Sequence, residues 1–190
     1  MAGRPRGIDD ATILEATVRV MGRTGPAALT LALVAEEAGV VPGTLVQRFK
    51  SKRGLILALA EHNAQRSSEL YEQAQRDRRP PLEALADLVV GIWEPATTPQ
   101  TFANHLAFLC ADLADAQFRD LTLSTHRSQS RLIAELLRSG VKGGDLRPET
   151  DIETLTATIQ SAIAGAGLIW AIEQQDSLTE RLHAGLEHVL

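Results

Sequence analysis

With 190 residues the chain is long enough for one or two domains and a sizeable core, and its residues are 44% hydrophobic but only 4% aromatic. Leu, Ala, Ile and Val must therefore build that core, and the strong helix formers among them favour an all-helical protein. A single cysteine, Cys110, excludes an internal disulfide framework. The start, Met1-Ala2-Gly3-Arg4-Pro5-Arg6, lacks the apolar stretch of a secretory signal, and the longest apolar run, 163–172, is about ten residues and too short for a bilayer. A soluble cytoplasmic protein with no membrane partner is expected. A net charge of −5 argues against nucleic acid only if taken whole: residues 1–60 hold eight basic and five acidic residues, a net +3, against eleven and nineteen, a net −8, in the rest. A basic head on an acidic body touches phosphate locally while the body stays soluble.

In chain order, Asp9 or Asp10 caps a first helix running to about Arg23, with Ile13, Leu14, Thr17, Val18 and Met21 on one face and Gly22 and Gly25-Pro26 ending it. Thr30 caps a short helix with an apolar face of Leu31, Val34, Ala35 and Ala38. Gly39 then stands where the chain must turn, a position favouring left-handed backbone. A third short helix runs from about Pro42 to Phe49, with proline in its first turn, and Ser51 caps a long helix from Lys52 to about Asp77. Arg79-Pro80-Pro81 breaks the chain. Further helices are expected over about 82–93, 101–112, 116–140 and 151–174, with a last one from Ser177 to the end and Gly143-Gly144 as a turn. That makes an all-α protein of roughly nine helices.

The second and third helices, joined by a tight glycine turn, describe a helix-turn-helix. Leu31, Val34 and Ala35 anchor the pair, while Val40, Leu45 and Phe49 give the third helix an inner face. Gly43, Thr44, Gln47 and Arg48 point outward; the small ones allow close approach to a sugar-phosphate wall, and Gln47 and Arg48 carry groups that read base edges.

The ordered series Ile13-Leu14-x-Ala16, Gly25, Leu29-Thr30, Val34-Ala35, Ala38-Gly39-Val40, Gly43-Thr44-Leu45, Phe49-x-Ser51-Lys52 and Leu55 resembles the DNA-binding domain of the TetR family, almost continuously over residues 9–60. The later stretches Asp145-Leu146-Arg147-Pro148 and Gly165-x-Gly167-Leu168-Ile169-Trp170 are similar to many members more loosely. The resemblance implies a homodimer with two reading heads, repression of transcription, and release from double-stranded DNA on binding a small-molecule effector. Two positions depart from the family pattern: Val41 stands where a capping Ser is common, and Val46 where a phosphate-reaching Tyr is common.

On this basis residues 1–8 form a basic arm, 9–55 the reading head and 56–190 a sensing and dimerisation body. The DNA-facing set is Arg4, Arg6, Thr30, Pro42, Gly43, Thr44, Val46, Gln47, Arg48 and Lys52. Arg4-Pro5-Arg6 is either a minor-groove arm or a plain tail; Gln47 either reads a base or stands idle on an exposed face. Lys52, at the start of the fourth helix, either contacts a phosphate or is a solvated lysine in a loop.

In the body, Trp93, Phe102, His105, Phe108, Leu109, Asp112 and Phe118 gather aromatic and sparse polar groups, a mixture that suits a small, mainly apolar ligand; the alternative is that they are ordinary core. Ile152, Leu155, Ile159, Ile163, Gly167 and Trp170 form a stripe on the penultimate helix, and Leu178, Leu182 and Leu186 one on the last. Both are expected to enter a four-helix dimer interface, or else to pack within one subunit. The five histidines show no metal spacing, and no phosphate loop or G-x-S-x-G appears, so no catalytic residue, metal or cofactor is assigned. The rival functions are a DNA-binding dimer without a ligand and a helical partner-binding protein with a degenerate head.

Overall fold

A computed structural model describes residues 8–74 and 79–190, with residues 67–74 described by backbone alone. Among the described residues there are nine helices and no strand: α1 (Asp10–Ala28), α2 (Leu31–Ala38), α3 (Pro42–Phe49), α4 (Lys52–Ala74), α5 (Pro81–Ile92), α6 (Pro99–Ala114), α7 (Ala116–Gly143), α8 (Ile152–Glu173) and α9 (Leu178–Val189). The all-α architecture is the expected one. Arg4, Arg6 and the expected end of the fourth helix near Asp77 lie outside the described residues.

Capping chemistry sets most of the boundaries. Asp9 accepts from the Thr12 amide at 2.8 Å, and Thr30 accepts from the Leu33 amide at 3.2 Å, each satisfying a donor that the first turn leaves open. Gly39 ends α2 in the left-handed region, φ 68° and ψ 32°; a Cβ there would meet nothing within 4 Å, so glycine is required by the backbone and not by space. Val41 offers α3 no side-chain cap, leaving the backbone bond from the Thr44 amide to the Val41 carbonyl at 2.9 Å.

Two boundaries refine the expectation. Of the two stops expected for the first helix, Gly22 lies buried inside it and the break falls at Gly25 (φ 68°), ahead of Pro26. The sixth helix begins at Pro99 and not at Thr101, because Thr98 and Thr101 form a reciprocal capping box and the proline occupies the first turn, where its missing N–H costs nothing.

Two apolar cores result. The first joins Ile13, Ala16, Val20, Val34, Leu45, Phe49, Leu55 and Leu59 from α1–α4, and takes in Phe108 from α6. The second joins Leu85, Val89, Phe102, Ile133, Leu137, Ile159, Trp170 and Leu182 from α5–α9. α6 thus contributes one phenylalanine to each core and fixes the head on the body. Within the second core the Phe102 ring lies 4.6 Å from the Trp93 ring at a 42° tilt and meets Trp170 edge-on at 6.3 Å.

α8 is, by length and by a mean hydropathy of 1.5, apolar enough to cross a membrane, which the short uninterrupted run in the sequence did not suggest. Here it packs against α7, α6 and α9, burying Thr156, Ile159, Ile163, Gly167 and Trp170. Between Glu153 and Glu173 the helix carries no charge, on its outward face as well as on its buried one.

Candidate nucleic-acid interface and central cavity

α3 divides as its sequence pattern requires: Leu45 and Phe49 are buried, while Pro42, Gly43, Val46 and Gln47 are exposed and Thr44 is half-buried. Thr30 is exposed at the start of α2. Among the described residues the Gln47 side-chain amide makes no hydrogen bond; only its carbonyl is used, by Lys50 Nζ at 2.7 Å. Val41 and Val46 are 69% and 50% exposed, so the head presents apolar surface where it also presents Gln47.

The cations of the head are largely occupied. Arg48 Nη1 donates to the Ile8 carbonyl at 2.6 Å and to Asp10 Oδ1 at 2.9 Å, lashing α3 to the start of α1. Lys52 Nζ donates to the Pro26 carbonyl at 2.7 Å and is half-buried. Both side chains therefore brace the fold as well as lying near the expected DNA-facing surface. Arg19 and Arg23 converge on Glu37 at 2.8 and 2.9 Å, holding α1 to α2. Their hydrogen bonds, Arg19's first, hold the Glu37 carboxyl below the usual carboxylate range.

Sequence reasoning missed the clamp between head and body. Arg53, in the first turn of α4, reaches Asp115 at 2.7 Å and Gln117 at 3.3 Å, and its guanidinium lies 4.9 Å from the centre of the Phe118 ring. Its partners are more than sixty residues away, and no local pattern pairs them.

Between α1, α4, α5, α6, α7 and α8 lies a partly open cavity of about 710 Å³, within the range that holds small ligands. Its apolar wall includes Met21, Ile56, Leu59, Ile92, Trp93, Leu109, Ile133 and Ile163; its polar groups include Asn63, Asp112, Thr122, Thr125, His126, Gln129, Gln160 and Ser161. Of the seven residues expected to contact a ligand, Trp93, Leu109 and Asp112 line it. The other four do not. Phe102 lies in the second core, Phe108 in the first, Phe118 is buried beside Arg53, and His105 turns towards Gly22, where a Cβ would stand 3.1 Å from its Nε2. The polar residues of α7 were legible in principle, since Thr122, Thr125, His126 and Gln129 recur at helical spacing.

Burial shifts the pKa of two groups. His105 Nε2 is buried without a hydrogen-bond partner among the described residues, and desolvation lowers the ring's pKa, keeping it neutral. The Asp112 carboxyl is raised, first by burial and then by the charge of Asp115. The Trp93 Nε1 donor is likewise buried and unpartnered.

The stripes expected to face a second subunit lie mostly inside this one. Ile159, Ile163, Gly167, Trp170, Leu178, Leu182 and Leu186 are buried, and Ile152 and Leu155 are half-buried. Gly167 serves a contact within the subunit: a Cβ there would come 2.4 Å from the Phe102 ring. A regular apolar stripe marks what a helix buries, and the subunit's own α5, α6 and α7 cover this one. The outward face of α8 is different: Thr154, Thr158, Leu168, Ile169 and Ile172 are exposed and uncharged, while Ala157, Ser161 and Ala164 open onto the cavity.

Residues 13–59 match the family model of bacterial regulatory proteins of the tetR family. The HTH-type transcriptional repressor KstR2 of Mycolicibacterium smegmatis is 23% identical over 141 residues, 74% of this chain and 69% of that protein. Among solved structures, a TetR transcription regulator from Haloarcula marismortui matches with a TM-score of 0.73 at 20% identity, covering 95% of this chain and 93% of the other. The regulator FadR from Bacillus subtilis, solved in complex with stearoyl-CoA, matches with a TM-score of 0.64 at 18% identity, covering 95% and 97%. Residues 13–59 thus carry a DNA-binding domain of the tetR family, with its helix-turn-helix folded as the matched segment requires, and the whole length shares the fold of such regulators.

Proposed function

We propose that this regulator is a ligand-released repressor that binds an inverted-repeat operator as a homodimer, reading DNA with residues 9–55 and sensing a small, mainly apolar molecule with residues 56–190. The observation that carries the reading is the position of the cavity. Ile56, Leu59, Ala60 and Asn63 of α4 wall it, and the first turn of the same helix is tied to the head through Lys52 and Pro26. An occupant that prefers one setting of α4 biases the setting of the head by that difference in affinity.

Two heads related by a two-fold axis would enter successive major grooves. In each, Gln47 is free to read a base edge, and the exposed Val41 and Val46 suit thymine methyl groups in place of a phosphate contact. The uncharged outward face of α8 is the surface offered to the second copy, since an isologous contact needs self-complementary apolar area that the subunit has not already buried. The molecules named in complex with similar regulators, such as stearoyl-CoA with FadR, support a long, narrow apolar ligand as the class to test first.

The deciding experiment is selection of bound fragments from a random DNA pool at physiological salt, followed by sequencing. An enriched inverted repeat is expected and supplies the probe for a release screen. Salt-sensitive binding with no enriched sequence would mean that the head has lost specificity and would refute operator repression.

A further inference from the structure

The following inference rests on the cavity being a ligand site. Its charged equipment is one-sided. Among the described residues lining it there is a carboxylate, Asp112, and no lysine or arginine. Asp112 stands in the last turn of α6, the end at which unpaired helix carbonyls concentrate partial negative charge. Asp115 follows it, and the nearby guanidinium of Arg53 is committed to Asp115 and Gln117. Asp112 is half-buried, burial and a neighbouring negative charge, in that order, push its carboxyl above its usual range, and no described cation is paired with it. The remaining titratable group of the wall is His126. Its Nδ1 lies 3.3 Å from Gln160 Nε2.

Phosphate or carboxylate headgroups are held by arginine, lysine or helix N-termini, and the described wall offers an acid and a helix C-terminus. We propose that the cavity takes a cationic amphiphile, with its positively charged nitrogen against Asp112 and its hydrocarbon along Leu59, Leu109 and Ile133, and so discriminates against acyl-CoA thioesters. The ligand supplies the counter-charge that the protein withholds, and the empty protein's uncompensated acid becomes the source of selectivity.

Four probes with one C12 tail separate headgroup from hydrocarbon: dodecyltrimethylammonium, dodecanol, dodecanoate and lauroyl-CoA. Each is titrated below its micellar concentration into the full-length protein, with tryptophan fluorescence as the readout. The ammonium probe is expected to bind at least about tenfold more tightly than dodecanoate, and Asp112→Asn to erase that preference while leaving dodecanol unchanged. Ala60→Phe, which fills the α4 wall, should weaken every probe that binds. Dodecanoate or lauroyl-CoA binding as tightly as the ammonium, or a preference that survives Asp112→Asn, overturns the cationic class and leaves the ligand site standing. Failure of all four probes, or binding indifferent to Ala60→Phe, removes the ligand site itself and the inference with it.

Discussion

Asn104 Nδ2 donates to the Gly22 carbonyl at 2.8 Å, supplying the hydrogen bond that the next turn of α1 cannot give because residue 26 is proline. The side chain of one helix thus completes the backbone ladder of another. α6 also places Phe108 in the first core and Leu109 and Asp112 on the cavity wall. A displacement of α6 must therefore be felt in α1, the first helix of the head.

Replacing Asn104 by Ala leaves a half-buried carbonyl unpaired and is expected to cost about 1–3 kcal/mol in urea unfolding. Asn104→Asp should cost a similar amount, because an ionised carboxylate has no N–H to donate. If both variants unfold at the wild-type urea midpoint, water satisfies Gly22 and the link between α6 and α1 carries no energy.

His105 sets an acid limit on stability. Its folded pKa is depressed by burial, so the unfolded chain binds the proton more readily. The resulting stability is fully present above the ordinary histidine value of about 6.5 and is lost as pH falls from there through the folded value. His105→Leu, which keeps the apolar bulk and discards the unpartnered nitrogen, should flatten thermal stability as pH falls below about 6.5. A variant curve parallel to the wild type in that window would assign the acid sensitivity to other groups.

Lys52 and Gln47 should fail differently. Lys52→Ala is expected to weaken binding on all sequences and to flatten the dependence of log affinity on log salt by about one unit. It should also lower stability through loss of the Pro26 contact. An unchanged salt slope would mean that the ammonium stays on Pro26 in the complex. Gln47→Ala is expected to change the ranking of operators, and an equal loss on every sequence would show that Gln47 reads no base.

The two faces of α8 and α9 make opposite predictions. Ile172, 71% exposed on the outward face, should tolerate Glu in the folded subunit but yield monomers in sedimentation. Leu182, 3% exposed in the second core, should cost about 2–5 kcal/mol as Ala through the cavity it leaves. A dimer that survives Ile172→Glu would move the interface away from the outward face of α8.

The sequence by itself determined the local structure. Thr30, Gly39, Pro42 and Ser51 punctuate α2, α3 and the start of α4 through capping and backbone conformation, which depend on a few adjacent residues. The periodicity of α1, α8 and α9 likewise named what those helices bury, and with the ordered head motif it located the reading head. Only the tertiary structure decided what each buried face is buried against. The stripe Ile159, Ile163 and Trp170 reads the same whether α6 and α7 or a second subunit covers it, because apolar spacing records the need for a cover and not its source. The same ambiguity divided the seven central residues: Phe102 and Phe108 sit on one helix yet enter different cores, and only Trp93, Leu109 and Asp112 reach the cavity. Arg53 with Asp115, and Asn104 with Gly22, pair across sixty to eighty residues, a distance over which no local spacing carries information. The chain must first be folded for such partners to meet.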